Sequence, residues 1–181
     1  MTQGPYGQQP GYGPPPPGYG APPQGYAPPP GAPQIAGMGD RLIARLIDGA
    51  LLIAVALVLI VPGLVMLISS SDGDDDPSGS AVAVFLLSLV IVIPAAILYE
   101  PVLIAKRGAT IGKKVMKLTV RLEATGTLPG AKAATFRFLI PLAASIAPFG
   151  SVLVYVSPLF DNSGRRQGWH DKVAKTVVVK G

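Results

Sequence analysis

The sequence predicts an all-α integral membrane protein with two full transmembrane helices, a third apolar segment broken by prolines, and a small cytoplasmic β element. Three observations lead to this fold class. Apolar residues make up 49% of the chain, and charged residues only 14%, against roughly 25% in soluble domains. The long apolar runs contain no charge. The basic residues are clustered beside these runs and are not spread along the chain.

The first two apolar segments, about residues 42–69 and 81–105, are each long enough to cross a bilayer. The uncharged run in the first extends from Gly49 to Ile68, and a helix of that length covers ~30 Å, one hydrocarbon thickness. The second segment contains a similar run. Each includes a proline, Pro62 or Pro94, which membrane helices tolerate as a kink.

The third apolar segment, about residues 136–160, allows two interpretations. It contains Pro141, Pro148 and Pro158, so it is either one irregular span or a re-entrant hairpin that turns at residues 148–150. Each limb of a hairpin would have ~10 residues, too few to cross a bilayer alone. We favour the hairpin, because it keeps the basic C-terminal tail on the cytoplasmic side.

The loops between the segments differ in charge and predict the orientation. Loop 70–80 contains four aspartates and no basic residue, whereas loop 106–135 contains seven Lys and Arg residues and one acid, Glu123. Cytoplasmic loops carry the excess of Lys and Arg. We therefore expect a multi-pass protein of the cell membrane, with the aspartate loop outside and the N-terminus, the basic loop and the C-terminal tail (161–181) in the cytoplasm.

Two short stretches predict the β element. Residues 117–122, "KLTVRL", alternate between polar and apolar side chains, which is the pattern of a half-buried strand. Residues 176–180, "TVVVK", are rich in β-branched side chains. These two strands can pair only if both lie on the same side of the membrane.

The chain divides into a tail, residues 1–38, and a membrane domain, residues 39–181. The tail consists mainly of Gly, Pro, Gln and Tyr and has no charge before Asp40, a composition that predicts disorder with polyproline character. Its simplest role is a solvated spacer. The alternative is a ligand for a protein partner, because residues 16–19, "PPGY", match a proline-proline-x-tyrosine pattern.

Charged residues at the ends of the first two segments form the candidate site. Arg41 and Asp48 are seven residues apart and share one helix face, and Arg45 is close enough in sequence to reach Asp48. Glu100 lies six residues before Lys106, ~9 Å inside the cytoplasmic margin by helical rise. Asp48 and Glu100 therefore fall at similar depth on antiparallel helices. They would share a proton or cation, be neutralised by the two arginines, or anchor the helices at the interface.

Other chemistry is weakly indicated. His170, the single histidine, lies beside Asp171 and could sense pH near neutrality. The chain has no cysteine, which excludes thiol catalysis and zinc-thiolate sites. "GATIGKK" has the wrong spacing for a phosphate loop. We find no nucleophile–base–acid set, and expect neither an enzyme nor a cofactor nor a metal site.

The net charge of +5 is clustered beside apolar runs. This arrangement favours anionic lipid headgroups over nucleic acid as the partner.

These motifs together resemble the RDD family of bacterial membrane proteins. "RLIARLIDG" places the family's arginine at Arg41 and its first aspartate at Asp48. "YEPVLIAKRGATIGKKVMKLTV" resembles the family's Tyr-Glu pair, here Tyr99 and Glu100, followed by a Gly-x-Thr-x-Gly-Lys loop. "RRQGWHDKVAKTVVV" resembles the closing pattern and places the second aspartate at Asp171, with Arg166 and His170 beside it. The tail is similar to those of actinobacterial membrane proteins.

The resemblance implies a transport-related role, since some family members are associated with sodium–proton antiport. Our first hypothesis is a homo-oligomeric cation/proton exchanger in which Asp48 and Glu100 take up the ion, Arg41 tunes their charge and Asp171 closes the cytoplasmic mouth. The alternative is a non-transporting adaptor, which recruits partners through its tail and basic face.

Overall fold

The computed structural model describes residues 33–71 and 76–181 and is mostly helical. Two helices, α1 (Met38–Ser69) and α2 (Gly79–Arg107), are long and apolar enough to cross a membrane. They pack against each other as an antiparallel pair, because Arg45 contacts Glu100 near one end while Gly63 lies against Phe85 towards the other. The predicted pair of potential spans is confirmed.

Most of the surface of α1 and α2 is apolar and uncovered by protein. Only 6% of the most apolar window of α1, and 11% of that of α2, is buried within the fold. Large side chains such as Val58 and Val90 are exposed. A soluble protein would bury such faces, whereas a bilayer solvates them without cost. Pro62 and Pro94 both lie inside continuous helices, as predicted.

Short elements follow the end of α2 closely. Gly108 ends the helix in the left-handed conformation, with φ of 69°, which glycine adopts without strain. Thr110 then caps α3 (Ile111–Val115) by accepting a hydrogen bond from the amide of Lys113. The chain reverses after α3 and enters β2 (Leu118–Leu122). These short connections place α3 against the N-terminal part of α1.

A three-stranded antiparallel sheet lies beside the helix ends, with β3 (Thr176–Lys180) in its centre. β3 pairs with β2 over five residues, from Leu118 opposite Lys180 to Leu122 opposite Thr176. The predicted pairing of these two strands is therefore confirmed.

β3 also pairs with β1 (Gln34–Ile35), which the sequence did not predict. The tail was expected to be disordered through residue 38, yet β1 forms within it and α1 begins at Met38. Residues 34–38 are therefore structured, contrary to the prediction, and Ala36 is fully buried beside the sheet. Residues 1–32, and residues 72–75 of the predicted aspartate loop, lie outside the described residues.

The third apolar segment forms two short helices in place of one long one. α4 (Gly130–Ala144) begins before the predicted boundary at residue 136, and α5 (Gly150–Val156) continues into a 3₁₀ turn (Ser157–Phe160). Residues 145–149 join α4 to α5, and the two helices pack against each other. A continuous helical span is therefore not formed.

A small core holds these elements together. Its buried side chains come from the start of α1, the end of α2, the sheet and α4: Ala36, Ala44, Ile104, Leu118, Val120, Ala134 and Val178. The last helix, α6 (Trp169–Ala174), packs against α4 and leads directly into β3. The charged ends of α1 and α2 are thus enclosed by α3, α4 and α6, and this enclosure creates the candidate site.

Candidate functional site

Asp48 is a buried carboxylate that is held by neutral donors. Its side chain accepts hydrogen bonds from the Tyr99 hydroxyl at 2.7 Å, the Thr110 hydroxyl at 2.5 Å and the Gly112 amide at 2.7 Å. The residue is only 3% exposed. Within the described residues it makes no ion pair, and its hydrogen bonds come from neutral donors.

The start of α3 forms part of this cradle, because the Thr110 hydroxyl and the Gly112 amide both donate to the carboxylate. Thr110 and Gly112 come from the Gly-x-Thr-x-Gly-Lys stretch that we rejected as a phosphate loop. The stretch binds an anion nonetheless, but that anion is the protein's own Asp48. Gly112 is required here, since a Cβ at this position would lie 2.1 Å from the Ala44 carbonyl oxygen.

Glu100 lies in a separate, fully paired cluster. Arg45 donates two hydrogen bonds to its carboxylate, at 2.7 and 2.8 Å, and the Lys113 ammonium donates a third at 3.2 Å. The guanidinium of Arg45 also stacks over the Tyr155 ring, 4.4 Å from its centroid. Burial lowers the pKa of Lys113 to about 8, although the negative charge of Glu100 acts against this shift.

Asp171 forms the third cluster and is completely buried. Arg137 of α4 donates to one carboxylate oxygen, and Arg41 of α1 approaches the other at 3.3 Å. The Gly168 amide adds a hydrogen bond at 3.2 Å. Burial alone would raise the pKa of Asp171, but the positive charges of Arg137 and Arg41 hold it below its usual range.

The structure separates two acids that the sequence analysis expected to act together. Asp48 and Glu100 do lie near each other, since both line a cavity of about 240 Å³ between α1, α2, α4 and α5. Arg45, however, binds Glu100 and not Asp48, and Arg41 binds Asp171. The alternative that the arginines neutralise the two acids holds for Glu100, which pairs with Arg45, but not for Asp48, because α2 and α6 present better-placed acids to the arginines.

The predicted supporting residues take different positions. Tyr99 donates to Asp48, whereas Arg166 contributes its backbone carbonyl, which accepts a 2.7 Å hydrogen bond from Arg41. His170 lies edge-on to Tyr155, 5.7 Å between ring centroids. Burial lowers the pKa of His170 to about 4. The prediction that it titrates near neutral pH is therefore wrong, since desolvation disfavours the charged ring.

Sequence reasoning missed several members of the network: Thr110, Gly112, Lys113, Arg137 and Thr176. Arg137 is the most important omission, because it is 4% exposed and donates to both Asp171 and Thr176. Its signal was present, as a lone arginine at the start of an apolar segment is costly unless it has a partner. Its partner is 34 residues away in the sequence, and pattern reasoning could not identify it.

The described residues contain no group of three or more His, Cys, Asp or Glu side chains that could hold a metal ion. Asp48, Glu100 and Asp171 instead belong to separate hydrogen-bond clusters. The clusters share no acid. Their hydrogen bonds and ion pairs connect α1 to α2, α3, α4 and α6. The arrangement fixes the helix ends and leaves Asp48 as the acid without a cationic contact.

Two long apolar helices whose ends are joined by buried charged clusters define a membrane-type α-helical protein. The chain belongs to the RDD family, because the model of that family matches residues 35–175. The resemblance drawn from the motifs is thereby confirmed. No curated protein and no solved structure matches the chain.

Proposed function

We propose that the chain is a membrane transport component in which Asp48 takes up a proton or a monovalent cation. One observation carries the proposal: Asp48 is buried, lines a cavity of about 240 Å³ and contacts no cationic group among the described residues. Membrane carboxylates of this kind are costly and commonly serve ion or proton pathways.

The hydrogen-bond partners of Asp48 could satisfy it both when it is protonated and when it binds a cation. The hydroxyls of Tyr99 and Thr110 donate to the carboxylate, and a hydroxyl can also accept. Protonated Asp48 could therefore donate to either of them after a rotation of the hydroxyl. A hard cation prefers oxygen ligands, and the two carboxylate oxygens with the two hydroxyls offer four. The neutral and cation-bound states can thus be satisfied by the same side chains.

Glu100 has a different role in this proposal. Its two salt bridges, to Arg45 and Lys113, occupy the lone pairs that a shared cation would need. We assign Glu100 to holding α1, α2 and α3 in place, and Asp171 to fixing α6 against α1 and α4. We therefore propose that Asp48 alone takes up the ion, and not Asp48 and Glu100 together.

The proposed topology places the charged clusters and the sheet on the cytoplasmic side of the cell membrane. The hairpin of α4 and α5 would enter the bilayer from that side. Support comes from its tip, where Ile146 is 89% exposed and Phe149 is 79% exposed, because such side chains favour a lipid environment. Two spans provide few walls for an ion path, so the proposal includes a homo-oligomer joined through the apolar faces of α1 and α2.

The test is ion flux through the purified protein in sealed vesicles. Sodium or lithium gradients should drive proton movement with the wild type, and Asp48→Asn should abolish it. Asp40→Asn is the matched control, since it removes an aspartate from the same helix that pairs with Lys180 outside the three clusters. Equal flux with Asp48→Asn and wild type, or no flux with wild type, would overturn the proposal.

The adaptor remains the second candidate, and the complete pairing of Glu100 and Asp171 favours it. Both acids are held by two basic side chains each, as expected of a rigid support. Deletion of residues 1–32 should then remove partner recruitment and leave β1 intact. Full complementation by the shortened chain would contradict the adaptor.

A further inference from the structure

A second cavity lies beside the charged clusters, at the start of α1. Its volume is about 480 Å³, within the ~300–1,000 Å³ range of small-molecule sites. It is enclosed by the start of α1, by α5 with the following 3₁₀ turn, and by side chains of α3, α4 and α6. Asp48 does not line it, although Arg45 and Tyr155 line both this cavity and the one beside Asp48.

Cationic side chains form one wall of this cavity. Arg41, Arg45, Lys113 and Arg137 all line it, and no acidic residue does. Glu100 and Asp171 do not line the cavity, but they pair with these four cations and compensate two of the four positive charges. If Asp48 is counted as well, the four cationic side chains still exceed the three acids by one positive charge. An anion of one unit charge therefore fits the wall.

The same wall contains unused hydrogen-bond donors. In residues 33–71 and 76–181, the buried side-chain nitrogens without a partner are Nε and Nη2 of Arg41, Nε of Arg137 and Nδ1 of His170. All three of these residues line the cavity. Buried donors without partners are costly and rare in proteins. An oxyanion in the cavity would accept hydrogen bonds from the guanidinium groups of Arg41 and Arg137, whose planar geometry matches phosphate oxygens in particular.

The opposite wall is apolar. It includes Leu42 of α1, Val152 of α5 and Leu159 of the 3₁₀ turn, all of which are more than half exposed. A small inorganic anion would leave this wall uncovered. A ligand with an anionic head and a hydrocarbon tail would cover both walls at once.

The position of the cavity along α1 identifies where such a ligand would come from. Arg45 and Arg41 lie four and eight residues before the uncharged run that begins at Gly49. These separations correspond to ~6 and ~12 Å of helical rise, which is the depth of lipid headgroups beside the hydrocarbon core. A ligand at this depth would therefore come from the lipid layer itself.

We propose that this cavity binds one anionic phospholipid, with its phosphate on Arg41, Arg137 and Lys113 and the start of an acyl chain along Leu159 and Val152. The lipid bridges α1, α4 and α5, whose side chains all line the cavity. It stabilises the junction between the long helices and the α4–α5 hairpin. The lipid does not contact Asp48, which lines the other cavity.

The experiment measures lipid retention by native mass spectrometry and thermal unfolding of the purified full-length protein. The probes are phosphatidylglycerol, zwitterionic phosphatidylcholine of the same chains, and inorganic phosphate. Wild type should retain one phosphatidylglycerol and unfold at a higher temperature with it. Phosphatidylcholine and inorganic phosphate should have little effect, because the first lacks net charge and the second lacks a tail.

Leu159→Glu is the test variant, since it places a carboxylate in the apolar mouth of the cavity and should weaken phosphatidylglycerol binding about tenfold or more. Phe160→Glu is the matched control, because Phe160 is the next residue of the same turn, is exposed and does not line the cavity. Arg41→Lys is a second variant that keeps the charge and removes the guanidinium donors, and it should also weaken binding.

Three results would overturn the proposal. Equal retention of phosphatidylglycerol and phosphatidylcholine by wild type would show that the site does not discriminate by the net charge of the lipid. Stabilisation by inorganic phosphate as strong as that by phosphatidylglycerol would identify a free anion as the ligand. Unchanged binding in both Leu159→Glu and Arg41→Lys would place the lipid elsewhere on the protein.

Discussion

The amide of Gly112 donates a 2.7 Å hydrogen bond to the carboxylate of Asp48, 64 residues earlier in the chain. This bond attaches the loop after α2 to the base of α1. It requires the backbone of α3 to approach the backbone of α1 closely, which only a residue without a Cβ permits. One glycine therefore decides both how the helices are joined and how the buried acid is solvated.

Gly112→Ala should destabilise the protein strongly. Its Cβ would lie 2.1 Å from the Ala44 carbonyl oxygen, a backbone atom that cannot move aside, and overpacking of this kind costs about 3 kcal/mol. Gly49→Ala in α1 is the control, because nothing lies within 4 Å of a Cβ at that position. Thermal unfolding in detergent, followed by circular dichroism, measures both. Equal melting temperatures would contradict the close approach.

Thr110→Val should cost about 2 kcal/mol, because it leaves an oxygen of Asp48 without a donor and removes the cap of α3. Thr110→Ser keeps the hydroxyl and should retain most of the stability. The comparison uses chemical unfolding of both variants in the same detergent. A serine variant as unstable as the valine variant would mean that packing, and not the hydrogen bond, matters here.

Glu100→Gln should destabilise by about 3–5 kcal/mol, because the buried cations Arg45 and Lys113 lose their counter-charge. Glu123→Gln is the matched control, since Glu123 is a partly exposed acid whose ion pair is worth ~1 kcal/mol or less.

Adding Lys113→Met to Glu100→Gln should restore part of the loss, as it removes one uncompensated charge. Unfolding free energies of the single and double variants measure this coupling. A double variant whose loss equals the sum of the two single losses would show that Glu100 and Lys113 are not coupled.

Acid should weaken the fold through His170. Its pKa is lowered by burial from 6.5 to about 4, so the folded state favours the neutral ring. The resulting stability is complete above pH 6.5 and is lost as the pH falls towards 4, by about 3 kcal/mol over that window. His170→Gln should remove this part of the pH dependence. The measurement is unfolding free energy against pH for both proteins, and parallel curves would contradict it.

Single introduced cysteines can test the topology, because the chain has no cysteine of its own that would also react with the label. Ser71→Cys should react with an impermeant maleimide from outside the cell, and Ala124→Cys only in inverted vesicles. Phe149→Cys should react in neither until detergent is added, since the hairpin tip is proposed to lie in lipid. Reaction of Phe149→Cys from outside intact cells would show that the third segment crosses the membrane.

The sequence alone was sufficient for the two potential spans, the strand pairing and the family. Uncharged runs of membrane length specify α1 and α2 whatever they pack against, because lipid solvates all their faces equally. The alternation in residues 117–122 and the β-branched run of β3 specify strands for a similar local reason. The prolines and glycine near residue 148 indicated where the third segment turns.

Only the tertiary structure decided which acid meets which base. Helical spacing placed Arg41, Arg45 and Asp48 close together, but local spacing cannot supply the surfaces of α2, α3, α4 and α6. Those elements bring Glu100 to Arg45, Asp171 to Arg41 and neutral donors to Asp48. Buried charges select partners by distance and desolvation in three dimensions, so their pairing depends on contacts between residues far apart in the sequence.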